Sequence, residues 1–133
     1  MATEGLITLR SNHGPEVTMN RLEAQVRDSG MELLAHIDHA AGAARAGLLL
    51  RPTDLLIFGA PASRTPLMQA NQAAGIDLPM KVLVWQDEAG VTWLCYNDPC
   101  WIARRHGLDA GLGAHAATML AQLDALARVA IAP

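Results

Sequence analysis

The segment Met31-Glu-Leu-Leu-Ala-His-Ile-Asp-His39 constrains the fold most tightly, because its side chains alternate with a period of two. Met31, Leu33, Ala35 and Ile37 fall on one face of an extended strand, and Glu32, Leu34, His36 and Asp38 on the other. A strand of this kind turns one face to a core and a largely polar one away from it. The polar face is therefore expected to line the open side of a sheet. There it meets solvent, a partner subunit or a ligand.

The neighbouring segments supply the rest of such a sheet. Leu6 to Arg10 reads as a first strand. Turn residues follow, then Pro15 at a first helical position and Glu16 beside the positive helix start. Met19, Leu22 and Val26 make an apolar stripe on a helix that closes near Ser29-Gly30. His39 opens a short alanine-rich helix that Gly47 closes. The continuous apolar run from Asp54 to Gly59 predicts a strand buried on both faces. Thr65 as N-cap, Pro66 at the first position and Gly75 past the end predict the next helix. Met80 to Gln86 and Val91 to Tyr96 form a hairpin around Asp-Glu-Ala-Gly90. A short helical piece runs to His106-Gly107. A last helix from about Gly113 to Ala130 carries the stripe Ala116, Met119, Leu120, Leu123, Ala127 and Ala130. This order predicts one α+β domain over residues 1–133, an antiparallel-rich sheet with helices packed on one face.

Composition narrows the function classes. The 133 residues are 51% hydrophobic and 17% charged, a balance that excludes a disordered chain. A net charge of −3, with no basic stripe, argues against nucleic acid as a partner. No apolar run is long enough to span a bilayer, and the N-terminus has no signal-peptide pattern, so no membrane partner and a cytoplasmic location are expected. Cys95 and Cys100 are too few for a disulfide framework and read as reduced thiols. Nine of the ten basic residues are arginine, which makes Lys81 the sole lysine. No glycine-rich phosphate loop and no nucleophile-elbow pattern occurs.

Three groups of residues carry chemistry. His36, Asp38 and His39 offer imidazole and carboxylate ligands of the kind Zn²⁺ and Fe²⁺ accept. Strand alternation separates His39 from the other two, however, and Asp38 sits where a helix N-cap belongs. The N-cap reading leads, and no metal is assigned. Asp77, Lys81, His39 and Asp98 could form a polar cleft with an amine of altered pKa, or a structural ion pair. Lys81, Leu83 and Trp85 share one strand face, while Trp93 and Tyr96 fall on opposite faces of the next strand. With Trp101, these aromatics suit either the centre of an interface or a platform for a flat ligand. His106 and His115 have no partner at ligand spacing.

The stretches His36–Ala43 (HIDHAAGA), Leu50–Pro61 (LRPTDLLIFGAP), Thr65–Ala70 (TPLMQA), Asp77–Trp85 (DLPMKVLVW), Tyr96–Pro99 (YNDP) and Arg105–Gly107 (RHG) resemble the domain-of-unknown-function 302 family, in its order and over nearly the whole chain. The resemblance implies a fold similar to the TATA-box-binding-protein-like class, with a β-α-β-β-β-β-α core, and homodimers. It implies no established reaction and no known cofactor. Ala60 and Arg64 depart from the Asn and Gly usual in the family.

Together these readings point to a homodimeric small-molecule-binding or sensing domain. Its expected ligand-binding residues are His36, Asp38, His39, Asp77, Lys81, Trp93 and Tyr96. The alternative is a small acid–base or metal-dependent enzyme using Asp38, His39, Asp77 and Lys81.

Overall fold

Five strands make a single antiparallel sheet in the computed structural model, which describes residues 3–133. They are β1 (Leu6–Arg10), β2 (Glu32–Asp38), β3 (Thr53–Gly59), β4 (Met80–Gln86) and β5 (Thr92–Asn97), in the spatial order β1-β5-β4-β3-β2. Helix α1 (Pro15–Asp28) carries the chain from one edge strand to the other. It buries Met19, Leu22 and Val26, the stripe its sequence predicts. The β4–β5 hairpin turns at Asp87, whose Oδ1 accepts the backbone N–H groups of Ala89 and Val91. Gly90 there takes φ +82°, a left-handed conformation that favours glycine.

Directly paired residues share a sheet face, so the register identifies the covered side. Leu56 and Phe58 of β3, Met80, Val82 and Val84 of β4, and Leu94 and Tyr96 of β5 all join the buried core. Residues of α1, α3 (Pro61–Ala70), α4 (Pro99–Arg105) and α5 (Asp109–Ile131) complete that core. Helix α2 (His39–Arg45) contributes no buried residue. The sheet is thus layered with helices on one face, as the segregated helices predict.

Four details correct the sequence reading. Leu33 pairs with Phe58, yet Ala35 pairs with Ile57, so Leu34 is an extra residue in β2, a β-bulge. Beyond the bulge the alternation is inverted. His36 pairs with Leu56 and Asp38 with Asp54, which puts both on the helix-covered face, while Ala35 and Ile37 turn to the open side. Of the polar set expected on that open face, Glu32 alone stays there, opposite Gly59. Next, β3 is buried on one face in this chain: Leu56 and Phe58 are inaccessible, whereas Leu55 and Ile57 are partly exposed.

The third correction is α3, which starts at Pro61 rather than Pro66. Both prolines suit a first helical position, and the earlier one takes it, with Pro66 inside the helix. Gly75 falls within a 3-10 turn, Gln72–Asp77, capped by the Asn71 side chain. Finally, α5 begins at Asp109, four residues before Gly113, because Leu108 is buried and Leu112 already bonds back to it.

Candidate functional site

The bulge at Leu34 creates the most polar feature of the covered face. His36 Nδ1 lies 2.8 Å from Glu23 Oε1 of α1, and Nε2 lies 2.9 Å from Asp54 Oδ2 of β3. Both ring nitrogens donate when the imidazole is protonated, so the arrangement favours the cation. Partial burial opposes that charge, but the hydrogen bonds to Asp54 and Glu23, with their charges, outweigh it and raise the pKa above the ordinary histidine value. An imidazolium engaged at both nitrogens has no lone pair with which to ligate a metal or accept a proton.

This ion triad lies beside an open cleft of about 370 Å³ at one end of the sheet. Glu16, Met19 and Asn20 of α1 form one wall; His36, Asp38 and Asp54 form the other. Asp38 also caps α2, its Oδ1 accepting the Ala41 N–H at 2.9 Å, as the N-cap reading expects. That bond and the one to His36 leave Asp38 Oδ2 and Asp54 Oδ1 as acceptors. The cleft can therefore take hydrogen-bond donors and positive charge.

The remaining expected site residues lie elsewhere. His39 begins α2 and is exposed. Asp77 joins the 3-10 turn to α4, accepting Arg105 Nη1 at 2.9 Å and His106 Nε2 at 2.6 Å. Lys81 pairs with Ile57 and Trp93 with Trp85, which sets both on the uncovered face. Tyr96 is on the covered face, where burial and then the nearby Asp124 charge push its phenol up to about 12. Asp98 caps α4 through the Cys100 N–H. The seven expected residues thus occupy several places, and only His36 and Asp38 line one cleft. Among the described residues, no group of three or more His, Cys, Asp or Glu is arranged to hold a metal ion.

Glu23 and Asp54 are the residues that sequence reasoning missed. Glu23 follows the stripe residue Leu22, and Asp54 heads a strand read for its apolar run. Without the bulge nothing in the sequence brings them to His36.

The uncovered face is the second feature. Register places Ile37, Leu55, Ile57, Leu83, Trp85 and Trp93 on it. None of the six belongs to the core, and Ile37 is 41% exposed. The Trp85 and Trp93 rings lie 6.4 Å apart across β4 and β5, and the Trp93 indole donates to Asp87 Oδ2 at 2.9 Å. Trp101 is off the sheet, against Gly5 and 5.8 Å from the Arg105 guanidinium. Cys95 is buried on the open face, and burial pushes its thiol up although a hydrogen bond with Trp85 opposes the shift. The loop after α2 exposes Leu48, Leu49 and Leu50 by 65%, 103% and 50%.

Fold and sites together define an α+β domain with one five-stranded antiparallel sheet, helix-covered on one side. The chain belongs to the DUF302 family, a domain of unknown function, whose sequence profile matches residues 7–128. A crystal structure of an uncharacterized conserved DUF302 protein from Bacillus stearothermophilus superposes with a TM-score of 0.84 at 22% identity. It covers 96% of this chain and 99% of that one. Among curated relatives, the fluoride-specific ion channel FluC 1 of Brucella suis is 46% identical over 104 residues, which are 78% of this chain and 41% of that protein. FluC 2 of Brucella melitensis matches equally over 38% of its length. The chain spans about two fifths of the length of these relatives. Among the described residues no helix is long and apolar enough to cross a membrane.

Proposed function

We propose that this chain is a homodimeric small-molecule-binding domain, a sensor in the cytoplasm, with its ligand in the cleft beside His36 and its partner copy on the uncovered sheet face. The observation that carries the reading is the apolar character of the uncovered sheet face. The open side carries six large apolar residues beside Glu32 and Lys81, while the helix side carries the apolar core and, at one end, His36, Asp38 and Asp54. A two-layered monomer is apolar toward its helices and polar toward water, so the apolar outer face is the departure here. The apolar run of β3 reads as a strand covered twice, and this chain supplies one cover.

A second copy is the occupant that best matches the open face. Leu48–Leu50 and Ile37 are exposed, Leu55 and Leu83 are half-buried, and a two-fold pairing buries all of them at once. Trp85 and Trp93 then sit near the centre, where aromatic anchors contribute most to binding.

For the ligand, the carboxylates around the cleft favour a small organic cation, such as a protonated amine. The occurrence of a similar segment in chains named as fluoride-specific ion channels supports a sensing role over a self-contained catalytic one. Binding is tested by thermal denaturation of the full chain against primary amines and, in parallel, simple carboxylic acids. An amine that raises Tm in the wild type and fails to do so in Asp54→Asn is the expected result. Stabilisation that survives Asp54→Asn, or that comes from the acids alone, contradicts the cleft assignment.

A further inference from the structure

The opposite edge of the sheet carries a groove that shares no residue with the His36 cleft. It runs between the edge strand β1 and helix α5, an open space of about 420 Å³, within the range that small molecules occupy. Ile7 of β1 and Leu120 of α5 give it apolar walls, and Ala117 and Ala121, one helical turn apart, leave room beside them. Tyr96 of β5 also lines it. That residue is only 2% exposed, yet its phenol makes no hydrogen bond with any described residue. The oxygen is not sealed off either: the polar side-chain atoms that lack both a partner and access belong to Arg21 and Arg64.

A tyrosine buried this deeply ordinarily finds a partner for its hydroxyl. Here the partner has to come through the groove. Burial, then the Asp124 charge, push the phenol up to about 12, so it keeps its proton at physiological pH and can both donate and accept. Asp124 and Arg128 line the same groove and hold each other, Arg128 Nε donating to Asp124 Oδ1 at 3.2 Å. That bond leaves Asp124 Oδ2 as an acceptor and both Arg128 Nη groups as donors, while the two charges cancel. A carboxylate attracted to Arg128 is opposed by Asp124, and an ammonium attracted to Asp124 is opposed by Arg128. An uncharged group that donates and accepts meets both without opposition.

We propose that this groove binds a small neutral molecule, an apolar body of about one ring bearing a hydroxyl or primary amide, with that polar group on the Tyr96 phenol and the Asp124–Arg128 pair. The site differs in chemistry from the His36 cleft, where carboxylates select a cation. It needs neither that ligand nor the dimer.

The test uses the full-length ¹⁵N-labelled chain near neutral pH and at constant ionic strength. Four probes of one size are titrated in: benzyl alcohol and benzamide as the neutral pair, benzoate and benzylamine as the charged pair. Saturable amide shifts at Ile7, Tyr96 and Ala117–Arg128 are expected for the neutral pair, with the charged pair at least about fivefold weaker at these residues. Tyr96→Phe keeps the ring and removes the hydroxyl, and is expected to weaken the neutral probes about three- to tenfold. Ala121 is exposed, so Ala121→Phe is expected to fold as wild type and to abolish the shifts by filling the groove. Shifts that grow linearly with every probe, or no shift at all, overturn the proposal and leave water as the partner of the phenol. So does a charged probe that binds here as tightly as the neutral ones, or an affinity unchanged in Tyr96→Phe. Asp54→Asn is expected to leave these titrations unaltered, so failure here and failure of the amine cleft are separate results.

Discussion

The two faces of the sheet are made from neighbouring residues of the same strands, yet they face opposite demands. On the covered side Leu56 and Phe58 are inaccessible, and the polar groups that intrude at one end are paired: His36 with Glu23 and Asp54, Asp38 with the start of α2. On the open side Leu55, Ile57, Leu83 and the two tryptophans are as apolar as a core but stay half-buried and outside it among the described residues. His36 and Asp38 keep access to water at the end of that face, and their partners offset the partial burial. An uncovered apolar face has no such compensation in water, which is the physical basis for assigning it to a partner copy.

Leu55 and Leu56 probe this contrast most sharply, being adjacent residues of one type on opposite faces. Leu56→Ala is expected to lower the unfolding free energy by about 2–5 kcal/mol, with little dependence on protein concentration. Leu55→Ala is expected to cost less in the monomer and to make Tm fall on dilution more steeply than in wild type. Urea melts at two protein concentrations check both. Equal losses without concentration dependence would remove the distinction between the faces.

Leu83→Asp sharpens it from the other side. A carboxylate at the middle of the proposed interface is expected to weaken dimerisation by at least about 100-fold, with far-ultraviolet circular dichroism unchanged. A variant that stays dimeric at micromolar concentration places the interface elsewhere.

Much of this layout was legible from the chain alone. Pro15 and Glu16 mark the start of α1, Ser29-Gly30 its end, and the odd spacing of Trp93 and Tyr96 puts them on opposite faces, as the register has them. Asp38 as an N-cap is equally local, since the bond runs three residues along the backbone. The face on which His36 lies was not legible. It depends on one extra residue, Leu34, and a bulge is defined by the pairing with Phe58 and Ile57 on another strand. Period-two alternation carries no mark of it. The same long-range dependence hid Glu23 and Asp54. The start of α3 at Pro61, one turn before the Thr65-Pro66 start read from the sequence, was not legible either.

Smaller effects belong to the paired end of the covered face. Asp38→Ala removes the cap of α2 and is expected to cost about 1 kcal/mol, read from the same urea melts. Since α2 buries no residue, fraying confined to residues 39–45 by hydrogen exchange is the expected accompaniment. Global loss of protection would show that α2 does more for the fold than its exposure implies.

His36 gives a pH signature. Its folded-state pKa is raised above 6.5, so the triad's stabilisation is fully present below pH 6.5 and is lost as pH rises through the folded-state value. The stability gap between wild type and His36→Gln is therefore expected to shrink from pH 5.5 to pH 8.5. Solvent screening keeps the change at about 1 kcal/mol or less. A gap that widens over this range contradicts the ion triad.

The assignment of the open face to a second copy is tested most directly by light scattering on the purified chain, eluted from a sizing column at micromolar concentration. A peak at twice the chain mass, which Leu83→Asp converts to the single-chain mass, is the predicted result. A wild-type peak at the single-chain mass under the same conditions contradicts it.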